Sequence, residues 1–230
     1  MNLKSKIRHI FFDLDRTLWD YDANLKESLE ELYNEHLKQK VQGDADVFRR
    51  IFHFENTRLW SDFTDNKIDK TYLRDNRFYF TLHRMGLDDR HLAHHLEENY
   101  IARTPAKTKL IKGTHECLSH LAQNYTLHII TNGFEDAQQF KLSNSGIRHY
   151  FKEVITSDTA QSTKPNIDIF KHSEMRSGAH ASECLMIGDD WRVDVEGALA
   201  AGWEALHFNP QALATEQRSI TSLSELQDML

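Results

Sequence analysis

The sequence predicts an α/β protein, a parallel sheet with helices on both faces, interrupted near its start by a helical domain. Three observations carry this. An apolar strand, Ile7 to Phe12, runs straight into Asp13-Leu14-Asp15. From Asn24 to Arg103 the chain is charged, has few glycines and no proline, and repeats its apolar residues at helical spacing. From Pro105 onward, helical and apolar strand-like segments alternate, the pattern of βα units.

In order, Ile7 to Phe12 is the first strand. Leu25, Leu29, Leu32, Tyr33 and Leu37 mark a first helix, and Val47, Phe48, Ile51, Phe52 and Leu59 a second. Ile68 to Arg84 and Asp88 to Ile101 give two more, with breaks at Gly43 and Gly86. Four such helices form a compact bundle. Then follow helix Thr114 to Asn124, strand Thr126 to Ile130, helix Phe134 to Ser145, strand Glu153 to Thr156 and helix Asn166 to Ser177. Strand Cys184 to Ile187, helix Val193 to Ala201 and strand Trp203 to Phe208 complete the series. The expected division is a core of residues 1–18 and 105–230 with a helical domain of 19–104 inserted after the first strand.

The chain has 230 residues, 28 basic against 35 acidic, a net charge of −7. That balance argues against a nucleic-acid polymer or a membrane surface as partner, since both select clustered Lys and Arg. A small anionic substrate remains compatible. Cys117 and Cys184 have no metal or redox spacing. The apolar run near the N-terminus is too short for a signal peptide, and no apolar stretch approaches the roughly 20 residues that span a bilayer. The expectation is a soluble cytoplasmic protein, monomer or homodimer.

In parallel α/β sheets, ligands bind beyond the carboxyl ends of the strands. The polar clusters fall there: Asp13 and Asp15 after the first strand, Thr131-Asn132-Gly133 after the second, Lys164-Pro165 in the loop after the third, Gly188-Asp189-Asp190 after the fourth. Alternate residues of a strand share a face, so Asp13 and Asp15 start out pointing the same way. Like charges that close repel unless a cation or a shared proton relieves them. The plainer alternative is two solvated turn carboxylates.

These four clusters, in this order, resemble the four motifs of the haloacid dehalogenase superfamily in its phosphohydrolase branch. The resemblance implies a Rossmann-like three-layer core with strand order 3-2-1-4-5, and the inserted helices are similar to that family's C1 cap. It implies that Asp13 is a nucleophile forming an aspartyl-phosphate, and that Asp15 protonates the leaving oxygen and later takes a proton from water. An acid at position 15 points to phosphate esters, since dehalogenating members lack one there. Mg2+ is the implied cofactor, held by Asp13, the backbone carbonyl of Asp15, and Asp189. Lys164 supplies fixed positive charge, and Thr131 and Asn132 suit phosphate oxygens. Gly133 lets the backbone approach closely. Asp194 orients Lys164 or completes the metal shell, with a helix-terminal charge as the alternative for it and for Asp190. The usual pattern has Gly after the second Asp, where this chain has Arg16; the following Thr17 is retained.

More narrowly, Asp13-Leu14-Asp15-Arg16-Thr17-Leu18-Trp19-Asp20, Ile129 to Phe134 and Lys164 to Phe170 resemble the YjjG-type pyrimidine 5'-nucleotidases. The implied substrate is a small phosphorylated metabolite, a nucleoside 5'-monophosphate. Trp60, Arg74, Arg77, Phe78 and Tyr79 are cap candidates for facing it, against the alternative that they are helical core; Trp19 and Phe134 flank the expected site. A sugar-phosphate phosphatase, a β-phosphoglucomutase-like phosphomutase, or a non-catalytic interaction protein of the same fold are the competing readings. His91, His94 and His95 lack a carboxylate at matching spacing and read as surface or packing residues. His115-Glu116 with His120 is one position too long for a zinc-protease helix. Cys117 reads as a small core residue.

Overall fold

The computed structural model describes residues 6–211 and 218–230; residues 1–5 and 212–217 of the expected core lie outside the described residues. The chain divides into two compact units, Met1–Tyr21 with Thr108–Leu230, and Asp22–Lys107. The break falls after Tyr21 and after Lys107. Trp19 is fully buried in the first unit's core, and Asp20 N–H donates to Lys109 O at 3.0 Å.

The first unit is built on one parallel sheet of six strands: β1 (His9–Phe12), β2 (Thr126–Thr131), β3 (Phe151–Thr156), β4 (Cys184–Gly188), β5 (Glu204–Phe208) and β6 (Ser219–Ile220). Their order is β3-β2-β1-β4-β5-β6, and every neighbouring pair is parallel. The expected order of five strands holds. The sixth is a two-residue edge strand, too short to show any periodicity in sequence. β1 lies at the centre, with Phe12 level with Ile129 on β2 and Ile187 on β4, so three strand ends open side by side.

Strand alternation divides the core into two apolar layers. Ile10 and Phe12 face one layer with Cys117, Leu118 and Leu121 of α5 (Thr114–Leu121), Leu142 of α6 (Glu135–Asn144) and Leu226 of α10 (Glu225–Met229). Phe11 faces the other, with Ile169 and Phe170 of α8 (Ile167–Ser177), Ala198 of α9 (Gly197–Ala200) and Trp203. α7 (Ser157–Ala160) follows β3 directly, capped by Thr156. A π-helical turn, Trp191–Glu196, precedes α9, so the single helix expected over Val193 to Ala201 has two parts.

The second unit holds α2 (Ala45–Thr64), α3 (Lys70–Arg84), α4 (Arg90–Arg103) and nearly all of α1 (Tyr21–Leu32), which continues as a π-helical turn over Tyr33–Leu37. Asp44, Asp69 and Asp89 cap α2, α3 and α4, each accepting from a backbone N–H three residues on. Phe48, Phe52, Phe78 and Tyr100 stack into its centre, with ring centroids 4.8 to 6.5 Å apart. Two cap candidates named from sequence are therefore interior residues. Phe78 is core, and buried Arg77 makes a bidentate pair with Glu97, both bonds 2.6 Å, under the Tyr100 ring. Trp60 meets Phe63 edge-on, Tyr79 lies under the Arg90 guanidinium at 3.7 Å, and Arg74 is half-buried. No helix among the described residues is long and apolar enough to cross a membrane.

Candidate active site

Asp13 is the first residue beyond β1, and its N–H still donates to Ile187 O at 2.9 Å, extending the ladder by one step. Its carboxylate Oδ1 accepts from Lys164 Nζ at 2.8 Å. The same ammonium donates to Asp194 Oδ1 at 2.6 Å and to Ile130 O at 2.8 Å. Three protons thus meet three acceptors, which is what makes a lysine only 1% exposed tolerable. Asn132 fixes the lysine from behind: its Oδ1 accepts from Lys164 N at 2.7 Å and its Nδ2 donates to Lys164 O at 2.9 Å. Expected among the phosphate-binding groups, Asn132 engages the Lys164 backbone through both ends of its amide.

Asp189 follows β4. Thr17 Oγ1 lies 3.5 Å from its Oδ1, and His207 Nε2 meets its backbone oxygen at 2.9 Å. Ligand oxygens of Asp13, Asp189 and Asp194 all lie within 4.8 Å of one another. Asp194 Oδ2 also accepts from Asp190 N at 3.1 Å. Asp190 itself turns away and caps the π-helical turn by accepting from Val193 N at 2.9 Å, the helix-terminal use considered from sequence. Gly188 has a packing reason, since a Cβ there would stand 2.1 Å from Asp194 Oδ2.

Burial pushes the Asp13 carboxyl up to about 7, aided by the Asp194 and Asp15 charges and opposed by Lys164. Burial likewise lifts Asp189 to about 8, with Asp13 and Asp194 adding to the rise and Arg16 and Lys164 resisting it. Burial alone would lower Lys164, but Asp13 and Asp194 outweigh it and hold the ammonium above its ordinary value. Three crowded carboxylates exceed what one ammonium neutralises. That donor set, all oxygen and over-negative, fits a hard divalent cation.

Asp15 takes other partners. Lys141 Nζ donates to its Oδ1 at 2.6 Å and its Oδ2 at 2.8 Å, and Gln138 Nε2 to Oδ2 at 3.0 Å. Strand geometry ends at Phe12, so the alternation that would aim Asp13 and Asp15 alike no longer applies. Gln138 Nε2 also donates to Thr131 Oγ1 at 3.0 Å, which accepts from Gly133 N at 3.0 Å as well. A Cβ on Gly133 would lie 1.7 Å from that Nε2, so this glycine first of all admits Gln138. Gln138 and Lys141 belong to none of the four polar clusters. Their signal was two polar residues one turn apart on the helix after Thr131-Asn132-Gly133.

Arg16 adopts φ 66°, the left-handed region, which is why glycine suits this position. Its guanidinium lies 4.2 Å over the Tyr21 ring. Trp19 and Phe134 are both buried. His94 sits beside Glu98 at 3.5 Å and His95 meets His36 edge-on. Cys117 and Cys184 are buried thiols pushed up to about 12 by burial.

The model of the haloacid dehalogenase-like hydrolases matches residues 7–202, most of the chain. The chain belongs to the haloacid dehalogenase-like hydrolase family. This haloacid dehalogenase-like hydrolase is 29% identical over 227 residues to the pyrimidine 5'-nucleotidase PynA of Streptococcus pneumoniae, covering 97% of this chain and 93% of that one. It is 29% identical over 228 residues to the pyrimidine 5'-nucleotidase YjjG of Escherichia coli, covering 96% of each. Among solved structures, the HAD-hydrolase YfnB of Bacillus subtilis bound to magnesium superposes with a TM-score of 0.88 at 27% identity, covering 98% of this chain and 99% of that one.

Proposed function

We propose that this hydrolase is a magnesium-dependent phosphatase that removes phosphate from a nucleoside 5'-monophosphate of the pyrimidine type, through an aspartyl-phosphate on Asp13. The observation that carries the reading is the single ammonium of Lys164 shared between Asp13 and Asp194, beside Asp189 and apart from Asp15. It supplies a nucleophile, a cation site and a separate proton donor, the three requirements of phosphoryl transfer.

Asp13 attacks phosphorus as the ester P–O bond breaks. The electron pair stays on the leaving oxygen, which takes a proton from the Asp15 carboxyl and departs as the alcohol. Water then attacks the aspartyl-phosphate, gives its proton to the Asp15 carboxylate, and inorganic phosphate leaves with the Asp13 carboxylate restored. Lys164 holds Asp13 and screens the incoming phosphate. Thr131 Oγ1 accepts from two N–H donors, which leaves its own proton available to a phosphate oxygen. Asp13 and Asp189 would hold Mg2+, with the backbone carbonyl of Asp15; Asp194, which accepts from Lys164 and Asp190, would orient the lysine or complete the shell around the ion. When bound, the ion supplies positive charge against the dianionic substrate.

The test is a phosphate-release screen over nucleoside monophosphates and sugar phosphates, with Mg2+ and with EDTA, for the wild type and Asp13→Asn. Expected are a preference for pyrimidine monophosphates, loss in EDTA with recovery on Mg2+, and no turnover by folded Asp13→Asn. Full turnover by that variant would overturn the Asp13 chemistry. Equal or greater rates on sugar phosphates would overturn the nucleotidase assignment alone.

A further inference from the structure

We propose that Lys141, together with Gln138, is a positioning device for Asp15, aiming its carboxyl at the leaving oxygen and tying it to the phosphate-facing hydroxyl of Thr131. The inference rests on the phosphatase reading above.

Lys141 is buried on α6, and its ammonium touches both oxygens of Asp15, at 2.6 and 2.8 Å. The same ammonium lies 4.5 Å from the Trp19 ring centroid and 5.9 Å from that of Tyr21. Aromatic faces on one side and a carboxylate on the other leave it one favourable position. The Lys141 side chain is buried and the Asp15 carboxylate partly so, at 8% and 24% exposed, so the pair is less screened than one at the surface.

Gln138 sits one turn earlier on the same helical face, where residues three apart are neighbours. Its two N–H groups go to Asp15 Oδ2 and Thr131 Oγ1, both at 3.0 Å. Its Oε1, buried, has no hydrogen-bond partner among the described residues. A buried amide oxygen left without a partner is costly. With Asp15 ionised the opposite orientation would aim an acceptor at an acceptor, so the amide turns its nitrogen to the carboxylate. The amide is thus held for what its nitrogen does, and Gly133 is left without a Cβ to make room for it.

A fold needing only an ion pair at this place would not require one amide to bridge the proton donor and the phosphate-facing hydroxyl. The bridge fixes the distance between the leaving oxygen's proton source and the phosphate's own contact. Asp15 lies beyond β1 and has only an isolated bridge to Trp19 in place of a strand ladder, so α6 supplies the rigidity. A misplacement of about 1 Å in such a constellation costs on the order of 10²-fold in rate.

The experiment is the leaving-group dependence of kcat/KM, which reports only steps through departure of the alcohol. Wild type, Lys141→Met and Lys141→Arg are compared on p-nitrophenyl phosphate and on a pyrimidine nucleoside 5'-monophosphate, with thermal unfolding as the check on folding. An aryl leaving group departs with little help, whereas an alkyl oxygen needs the proton. Lys141→Met is expected to lose about 10²-fold on the nucleotide and much less on the aryl ester, with Lys141→Arg regaining part of the difference. Gln138→Leu should show the same selectivity more weakly, and it carries the test should Lys141→Met not fold. Equal losses on both esters, or no loss on either, would overturn the positioning role while leaving the phosphatase reading intact. A wild type inactive on every ester would instead overturn that reading.

Discussion

Asp194 occupies the space that a side chain on Gly188 would need: a Cβ on that glycine would sit 2.1 Å from Asp194 Oδ2 and 2.7 Å from its Cβ. The last residue of β4 is therefore glycine so that a carboxylate from the following π-helical turn can reach Lys164 at 2.6 Å. Gly133 and Gln138 repeat the arrangement on the other side of the site.

Gly188→Ala is expected to separate activity from stability. The methyl must displace Asp194, at an overpacking cost of about 1–3 kcal/mol. Lys164 then loses an acceptor and its fixed direction, so turnover should fall by about 10²-fold while the protein still unfolds cooperatively. Urea unfolding beside phosphate-release rates measures both; undiminished turnover would show that the Asp194 contact is dispensable.

His9 and His128 predict an acid-sensitive sheet. Their rings stack with Nδ1 of His9 3.1 Å from Nε2 of His128, an arrangement that requires one nitrogen to accept. Burial holds His128 down at about 3, helped by the His9 and Lys152 charges. It also lowers His9, with Lys152 acting the same way and Glu183 opposing. The unfolded chain therefore binds protons that the fold refuses. For His128 the stability this carries is complete above about pH 6.5 and drains as pH falls toward 3, at up to about 1.4 kcal/mol per pH unit, and His9 acts in the same direction. Urea midpoints at pH 7 and pH 5 should differ, and the difference should shrink in His128→Phe. An unchanged difference in that variant would place the acid sensitivity elsewhere.

Arg77→Met should destabilise the helical unit without acting on substrate. It leaves Glu97 buried without its bidentate partner, a loss of about 3–5 kcal/mol. Arg77→Met with Glu97→Leu should recover much of that loss, because removing both charges ends the desolvation penalty. Calorimetry of the single and double variants, beside KM for a nucleoside monophosphate, checks this. A KM raised in the double variant despite restored stability would return Arg77 to the substrate.

Much of this was readable in the sequence. The strand–helix alternation after Pro105 and the helical stretch before it gave the two-part architecture, because period-2 and period-3.6 patterns follow locally from which face of each element is buried. The residues Asp13, Lys164, Asp189 and Asp194 were also legible, as charged groups placed at or beyond the ends of apolar strands. Asp13 and Asp189 directly follow strands, whereas Asp194 and Lys164 lie in the segments after β4 and β3, so only the first two are placed by strand ends alone.

What only the tertiary structure decided is which groups face one another. Asp15 parts from Asp13 because the ladder stops at Phe12, and it meets Lys141 and Gln138 across more than 120 residues of chain. Asn132 reaches the Lys164 backbone, Arg77 reaches Glu97, and two motif glycines make way for Gln138 and Asp194. Local periodicity carries no information about such partners. They are chosen by the requirement that every buried charge and amide find a complement in three dimensions, and that is settled only when the sheet and its helices have packed.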